Sequence, residues 1–570
     1  MNKKQSGKKI KKDAIKRMIK KRIIKICLFI FLVALIYTNA PNYRLNYVKD
    51  KTNLIINNRN VTLQSQKRDI FIDEKGTIYL SEEDMKNYFD KYLFYDENNK
   101  QIITTSDTKE ASFKLNEKEI SINGIRSSIL SPLIISEDIR YLPISEMTDV
   151  YNIEIKYIKD TNTVIIESLD RKLVKADVSK NIKVKTTTKF FSKTVDKLER
   201  GEKIVVASID KGWARIRTEN GRVGYVKEKY LANKIDVRED FKKDFGKIQG
   251  KVNMFWDYYS EYAKAPNRNG TNFVGVNVVS PTFFELKDMD VNIKDKVGES
   301  GKQYINWAKE NNYQVWPTIS NNTVSVNKEI TSTIMNDYNL RKKLIEKIVD
   351  LTIIYDLDGI NIDFENMKKE DKDMFSRFII ELEPRLKEYG KILSVDVTAP
   401  EGSDTWSLCY DRNIIADVSD YIVFMAYDQN TKTIGTVSGY DWIEESINKF
   451  IENEKVPAEK IILALPFYTR VWTQDSEQKV SSDVVNMKSV DELLRKNSVT
   501  EKQWLDDEKQ NYVQYEKNGQ TYKMWIEDEE SLKAKISLVK KYNLAGVSFW
   551  EKDRETDTVW EMIKQELDNM

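Results

Sequence analysis

Leu357-Asp358-Gly359-Ile360-Asn361-Ile362-Asp363-Phe364-Glu365-Asn366-Met367 is the stretch on which the reading of this chain turns. On a strand, side chains alternate between faces, so Asn361, Asp363 and Glu365 project to one side and Ile360, Ile362 and Phe364 to the other. Burying two carboxylates and an amide in an apolar strand is costly unless they are paired or used. A strand with helices outside and a polar lumen inside fits this pattern, and the C-terminal ends of such strands carry the catalytic groups of a (β/α)8 barrel. The competing reading is an acidic turn. A calcium loop fits poorly, because Gly359 comes too early after Asp356 for an EF-hand.

Outward from this stretch, residues 245 to 570 alternate strand-like and amphipathic runs, as parallel β/α units do. Eight strand-like runs are expected, at 251–258, 273–280, 313–319, 359–365, 392–398, 421–427, 460–466 and 545–550. Eight close a barrel. The region exceeds the roughly 250 residues of a bare barrel, so a small α+β insertion is expected before the last strand, with a hairpin at Tyr512 to Trp525 turning on Asn518-Gly519.

The acidic stretch resembles the signature of glycoside hydrolase family 18, Asp-x-x-Asp-x-Asp-x-Glu, here occupied by Asp358, Asn361, Asp363 and Glu365. Asn361 stands where chitinases commonly carry an Asp. Three other strand ends agree: Met425-Ala426-Tyr427-Asp428 is similar to the family's Met-x-Tyr-Asp, and Leu465 to Arg470 and Gly546 to Glu551 fit its later strands. The resemblance implies Glu365 as general acid and Asp363 as partner of the substrate acetamide. Tyr427 would donate to the acetamide oxygen, with Trp550 as the sugar platform. Asp428, Met425, Asn361 and Asp358 complete the substrate-binding set, although Asp358 is read mostly as structural. Asp396 shares a strand face with Ser394 and Thr398 and is expected to line the lumen. Trp256, Trp316, Tyr468, Arg470 and Trp525 are read as packing before subsite walls.

Composition narrows the chemistry. The chain has 570 residues and no histidine, which removes His bases, His triads and His metal sites. Residues 1 to 25 hold 12 Lys and Arg and one acid, leaving 80 basic against 89 acidic residues in the rest, so nucleic acid is not an expected partner. Only Cys27 and Cys409 occur, and no disulfide is expected.

The basic arm, residues 1–22, precedes an apolar segment at 23–40 read as a transmembrane signal anchor, with cleavage and secretion as the alternative. Residues 45–168 repeat at an offset of 62, pairing Tyr79, Leu80 and Met85 with Tyr141, Leu142 and Met147. This duplicated α+β stalk resembles the copper amine oxidase N-terminal-like domain of bacterial surface proteins, although no metal-ligand cluster is evident. Residues 172–234, with Gly201-Glu202, Gly212-Trp213 and Gly224-Tyr225-Val226, resemble a bacterial SH3 domain, a small β-barrel whose implied partner is the cell wall.

The expected protein is therefore a single-pass membrane glycosidase with an extracellular TIM barrel. It would cleave β-1,4 bonds of N-acetylglucosamine-containing glycan without cofactor or metal. Peptidoglycan leads over chitin because an anchor and a wall-binding module suit it; a non-catalytic glycan-binding barrel is the alternative outside the enzymes.

Overall fold

The structure is a computed structural model that describes residues 16–33, 48, 51–62, 70–239, 248–259, 264–321 and 326–570. It comprises two compact units, one of Met1–Ser106 with Ala111–Lys243 and one of Asp244–Met570 with Asp107–Glu110.

In the first unit, residues 16–33 form an exposed helix. No helix among the described residues is long and apolar enough to cross a membrane, which overturns the single-pass anchor. Lys16, Arg17, Lys20, Lys21, Arg22 and Lys25 stud the first ten residues of the helix, and among the described residues its uninterrupted uncharged part is Ile26 to Val33. At about 1.5 Å per residue that part spans ~12 Å, against a hydrocarbon core of ~30 Å. Residues 34–40 of the expected anchor lie outside the described residues.

The internal repeat is visible as strand pairing. Ile78–Ser81 runs antiparallel to Ile139–Pro143 with Leu80 opposite Leu142, so equivalent residues of the two copies meet. The first copy continues into the helix Glu82–Tyr88, capped by Ser81, and the hairpin Phe94–Asp96 with Gln101–Thr105. Its counterpart has the short helix Thr148–Tyr151 and the hairpin Ile153–Ile158 with Thr163–Ser168. Leu80, Met85, Ile102, Leu142, Met147 and Val164 share one core.

Residues 173–238 form an antiparallel seven-stranded sheet among the described residues, with a core of its own that includes Val184, Ile204, Ile216 and Val226. It is fixed to the duplicated domain by a small apolar cluster of Ile55, Ile165 and Val223. The mostly buried pair Arg217–Glu167, at 2.8 Å, adds a polar tie.

The second unit is the barrel. Its strands are β1 Val252–Asp257, β2 Val278–Pro281, β3 Gln314–Val315 continuing at Thr318–Ser320, β4 Gly359–Asp363, β5 Ile392–Val397, β6 Tyr421–Met425, β7 Ile461–Pro466 and β8 Gly546–Trp550. Each pairs in parallel with the next, and β8 pairs with β1 to close the ring. Strand β3 is interrupted at Trp316-Pro317, because proline cannot donate to the ladder. Gly546 is dictated by closure: a Cβ there would lie 2.0 Å from Val252 O.

Alternation along the strands separates two cores. Ile360, Ile362 and Phe364 of β4 join Leu393, Val395 and Val397 of β5 in the outer core beneath the helices. Met254, Trp256, Trp316, Tyr421, Val423 and Ile462 fill the lumen. The insertion between β7 and β8 is a five-stranded antiparallel sheet with the helix Val490–Lys496. Its hairpin, Gln510–Lys517 with Gln520–Ile526, turns on Asn518 and Gly519, both at positive φ, as the Asn-Gly pair demands. The fully buried ion pair Glu527–Lys535, at 2.6 Å, locks the base of this sheet to the helix Glu529–Tyr542.

Candidate active site

The groups that the acidic stretch brings together sit where β4 ends. Asp363 and Glu365 project into the lumen mouth, half-buried, while Phe364 between them is buried in the outer core. Burial pushes the Asp363 carboxyl up to about 7, aided by the nearby Asp396, with a hydrogen bond from Glu365 working the other way. Glu365 is held well above the usual carboxylate range by burial, by the charge and hydrogen bond of Asp363, and by Asp428. Two acids so close titrate as a pair, which leaves one proton available at neutral pH.

Position 361 is occupied in a way that alternation alone does not show. Asn361 is fully buried; its Oδ1 accepts from Trp256 Nε1 at 3.0 Å, and its Nδ2 donates to Asp396 Oδ1 at 2.7 Å and to Ser394 Oγ at 3.0 Å. Its amide is thus spent on protein groups beneath the site. Asp358 lies at the other end of β4, where its Oδ2 accepts from Val315 N at 2.9 Å. That is the structural role expected of it, and it does not join the site.

Tyr427 and Asp428 follow β6, and Met425 ends it, almost fully buried. Burial and the acids Asp396, Asp363 and Glu365 keep the Tyr427 hydroxyl well above its ordinary pKa, so it remains a hydrogen-bond donor. Asp428 accepts from Tyr468 Oη at 2.7 Å and from Arg470 Nη2 at 3.3 Å. These partners tie the end of β6 to the first strand of the insertion. Trp550 ends β8 with its ring 5.7 Å from Trp256 and 6.0 Å from the exposed Tyr258. Trp256 and Trp316 are buried packing, as expected, although Trp256 also holds Asn361. Trp525 is half-buried against Tyr512.

Three supports escaped the sequence reading. Asn321, after β3, accepts from Glu365 N at 2.8 Å and donates to Glu365 O at 3.0 Å, clamping the backbone of the candidate acid. Tyr410 Oη donates to Phe364 O at 2.8 Å on the other side. Arg268 bridges Asp257, at the end of β1, to Asp553 after β8 by four hydrogen bonds of 2.8 to 3.0 Å, steadying the loop that follows Trp550. A paired Asn-to-Glu contact across 44 residues has no local periodicity, so only the register of β3 on β4 reveals it. If Asn321 sets the aim of Glu365, Asn321→Ala should lower kcat by about a hundredfold with little change in KM, because a misplaced catalytic group loses rate more than affinity. Steady-state kinetics on a soluble N-acetylglucosamine oligosaccharide checks this; an unchanged kcat would show that Tyr410 and the strand suffice.

Residues 251–555 match the family described as glycosyl hydrolases family 18, and residues 55–166 match the copper amine oxidase N-terminal domain. The uncharacterized glycosylase YvbX of Bacillus subtilis (strain 168) is 25% identical over 277 residues, 47% of this chain and 79% of that protein. The cortical fragment-lytic enzyme of the same strain is 23% identical over 264 residues, covering 42% of this chain and only 56% of that enzyme. Among solved structures, a chitinase from Chromobacterium violaceum ATCC 12472 superposes with a TM-score of 0.49 and 21% identity, over 56% of this chain and 99% of that one. With more than half of its residues inside the first of these matches, the chain belongs to family 18 of the glycosyl hydrolases and is a glycoside hydrolase.

Proposed function

We propose that this enzyme hydrolyses the β-1,4 linkages that follow N-acetylglucosamine in peptidoglycan, with retention of configuration and with the substrate's own acetamide as nucleophile. The observation that carries the reading is the half-buried Asp363–Glu365 pair, two acids on one strand face whose proximity keeps one of them protonated. Glu365 gives its proton to the glycosidic oxygen as that bond to the anomeric carbon breaks. The acetamide carbonyl oxygen attacks the same carbon, forming an oxazolinium ion and freeing the alcohol. Asp363 accepts the acetamide N–H and offsets the positive charge that develops there. The Tyr427 hydroxyl donates to the acetamide oxygen and sets its angle, while Trp550 supplies the platform under the sugar. Glu365, now a carboxylate, takes a proton from the water that opens the ring. Met425 and Asp428 border this groove.

Peptidoglycan is favoured over chitin by the similarity to a cortical fragment-lytic enzyme. The β-sheet domain at 172–234 is assigned to wall recognition as an SH3-like module, and its exposed Phe190 and Phe191 suit contact with sugar rings. Incubating the protein with purified sacculi and with chitin, then analysing the fragments by mass, tests the assignment. Muropeptides ending in reducing N-acetylglucosamine are expected from sacculi; release from chitin alone would replace peptidoglycan by chitin as the substrate.

A further inference from the structure

Asn361 leaves strand β4 one acid short of the pattern it resembles, and the neighbouring strand brings an acid to the same place. Asp396 on β5 is 2% exposed, and its Oδ1 accepts from Asn361 Nδ2 at 2.7 Å. Asp363 Oδ1, next to Asn361 along the strand face, is buried with no hydrogen-bond partner. Two carboxyls buried this close to one another are costly to keep ionised together, so their protonation is linked. An Asn at this point of the lumen needs a partner for its amide hydrogens, and Asp396 with Ser394 supplies it.

We propose that Asp396 is a positioning residue for catalysis: clamped to Asn361, it replaces from β5 the acid missing at position 361 and governs how the proton is shared between Asp363 and Glu365. This rests on the roles given above to Asp363 and Glu365. The groups that face it are Asn361, Asp363 and Glu365 from β4 and Tyr427 after β6. Around Glu365 stand also Asp428, Cys409 and Tyr410. Burial drives Asp396 itself well above the usual range for an aspartate, opposed by its bond from Asn361 and reinforced by Glu365. Negative charge on Asp396 opposes ionisation of Glu365 and Asp363, so removing it lets Glu365 lose its proton at lower pH.

The test is the pH dependence of kcat/KM on a fluorogenic chitooligosaccharide for Asp396→Asn, Glu365→Gln and the swap Asn361→Asp/Asp396→Asn, with folding followed by circular dichroism. Asp396→Asn should move the alkaline limb to lower pH by roughly one unit, and the swap should return it to the wild-type position. A folded Asp396→Asn with an unmoved limb, or a swap no nearer to wild type than the single variant, overturns the proposal. Should Asp396→Asn not fold, the limb of the swap decides; loss of folding in both would make Asp396 structural and overturn it too. Turnover surviving in Glu365→Gln would instead remove the catalytic roles underneath, so the two failures are distinguishable.

Discussion

Glu365→Gln should abolish turnover, lowering kcat by roughly a thousandfold or more, while leaving the melting temperature and glycan affinity near those of the native protein. The amide keeps the shape of the side chain and its clamp through Asn321, since that clamp involves only the backbone of Glu365. What it removes is the proton for the leaving oxygen and the base for the water. The same residue fixes the sign of the pH response. Glu365 is active as acid only when protonated, and burial with Asp363 holds its pKa well above the usual range, so activity should persist through neutral pH and fall as pH rises through that raised value. Asp363 must be ionised to offset charge on the acetamide, so activity should also fall as pH drops below about 7, the value to which burial and Asp396 push it. The limbs belong to the pair, and a bell-shaped kcat/KM profile of the wild-type enzyme is the expected signature. An unaltered rate in this variant would exclude Glu365 as the acid.

De-N-acetylated glycan should be cut at least a thousandfold more slowly than the acetylated polymer, because the intramolecular nucleophile is gone and its effective molarity with it. A conventional retaining glycosidase, with a second carboxylate as nucleophile, would show no such dependence. The remaining acids of the site are engaged elsewhere: Asp396 with Asn361, and Asp428 with Tyr468 and Arg470. Matched degrees of polymerisation and reducing-end assays make the comparison direct. Equal rates on the two polymers would force a different nucleophile and return Asp428 to consideration.

Much of the barrel was legible because each strand records its two environments in alternating residues. Ile360, Ile362 and Phe364 mark the helix-covered face of β4 without reference to any other element. Asn518-Gly519 likewise encodes its own turn through the positive φ that both residues accept. The duplicated domain announced itself by the offset between Leu80 and Leu142, though not that these two residues face one another across a strand pair. At residues 23–33 hydropathy and a flanking basic arm suggest an anchor, yet the described helix carries six basic residues and only a short uncharged stretch, so it is not long and apolar enough to cross a membrane.

By itself, then, the sequence determined the eight-stranded plan, the insertion and the acids on β4, since periodicity, turn chemistry and spacing along one strand are local properties of the chain. Only the tertiary structure decided that Asn321 grips the Glu365 backbone, that Asp428 answers to Tyr468, and that Asp396 lies against Asn361. These contacts join residues 35 to 44 positions apart. Their partners are chosen by how neighbouring strands align when the barrel closes, and no single strand carries that information.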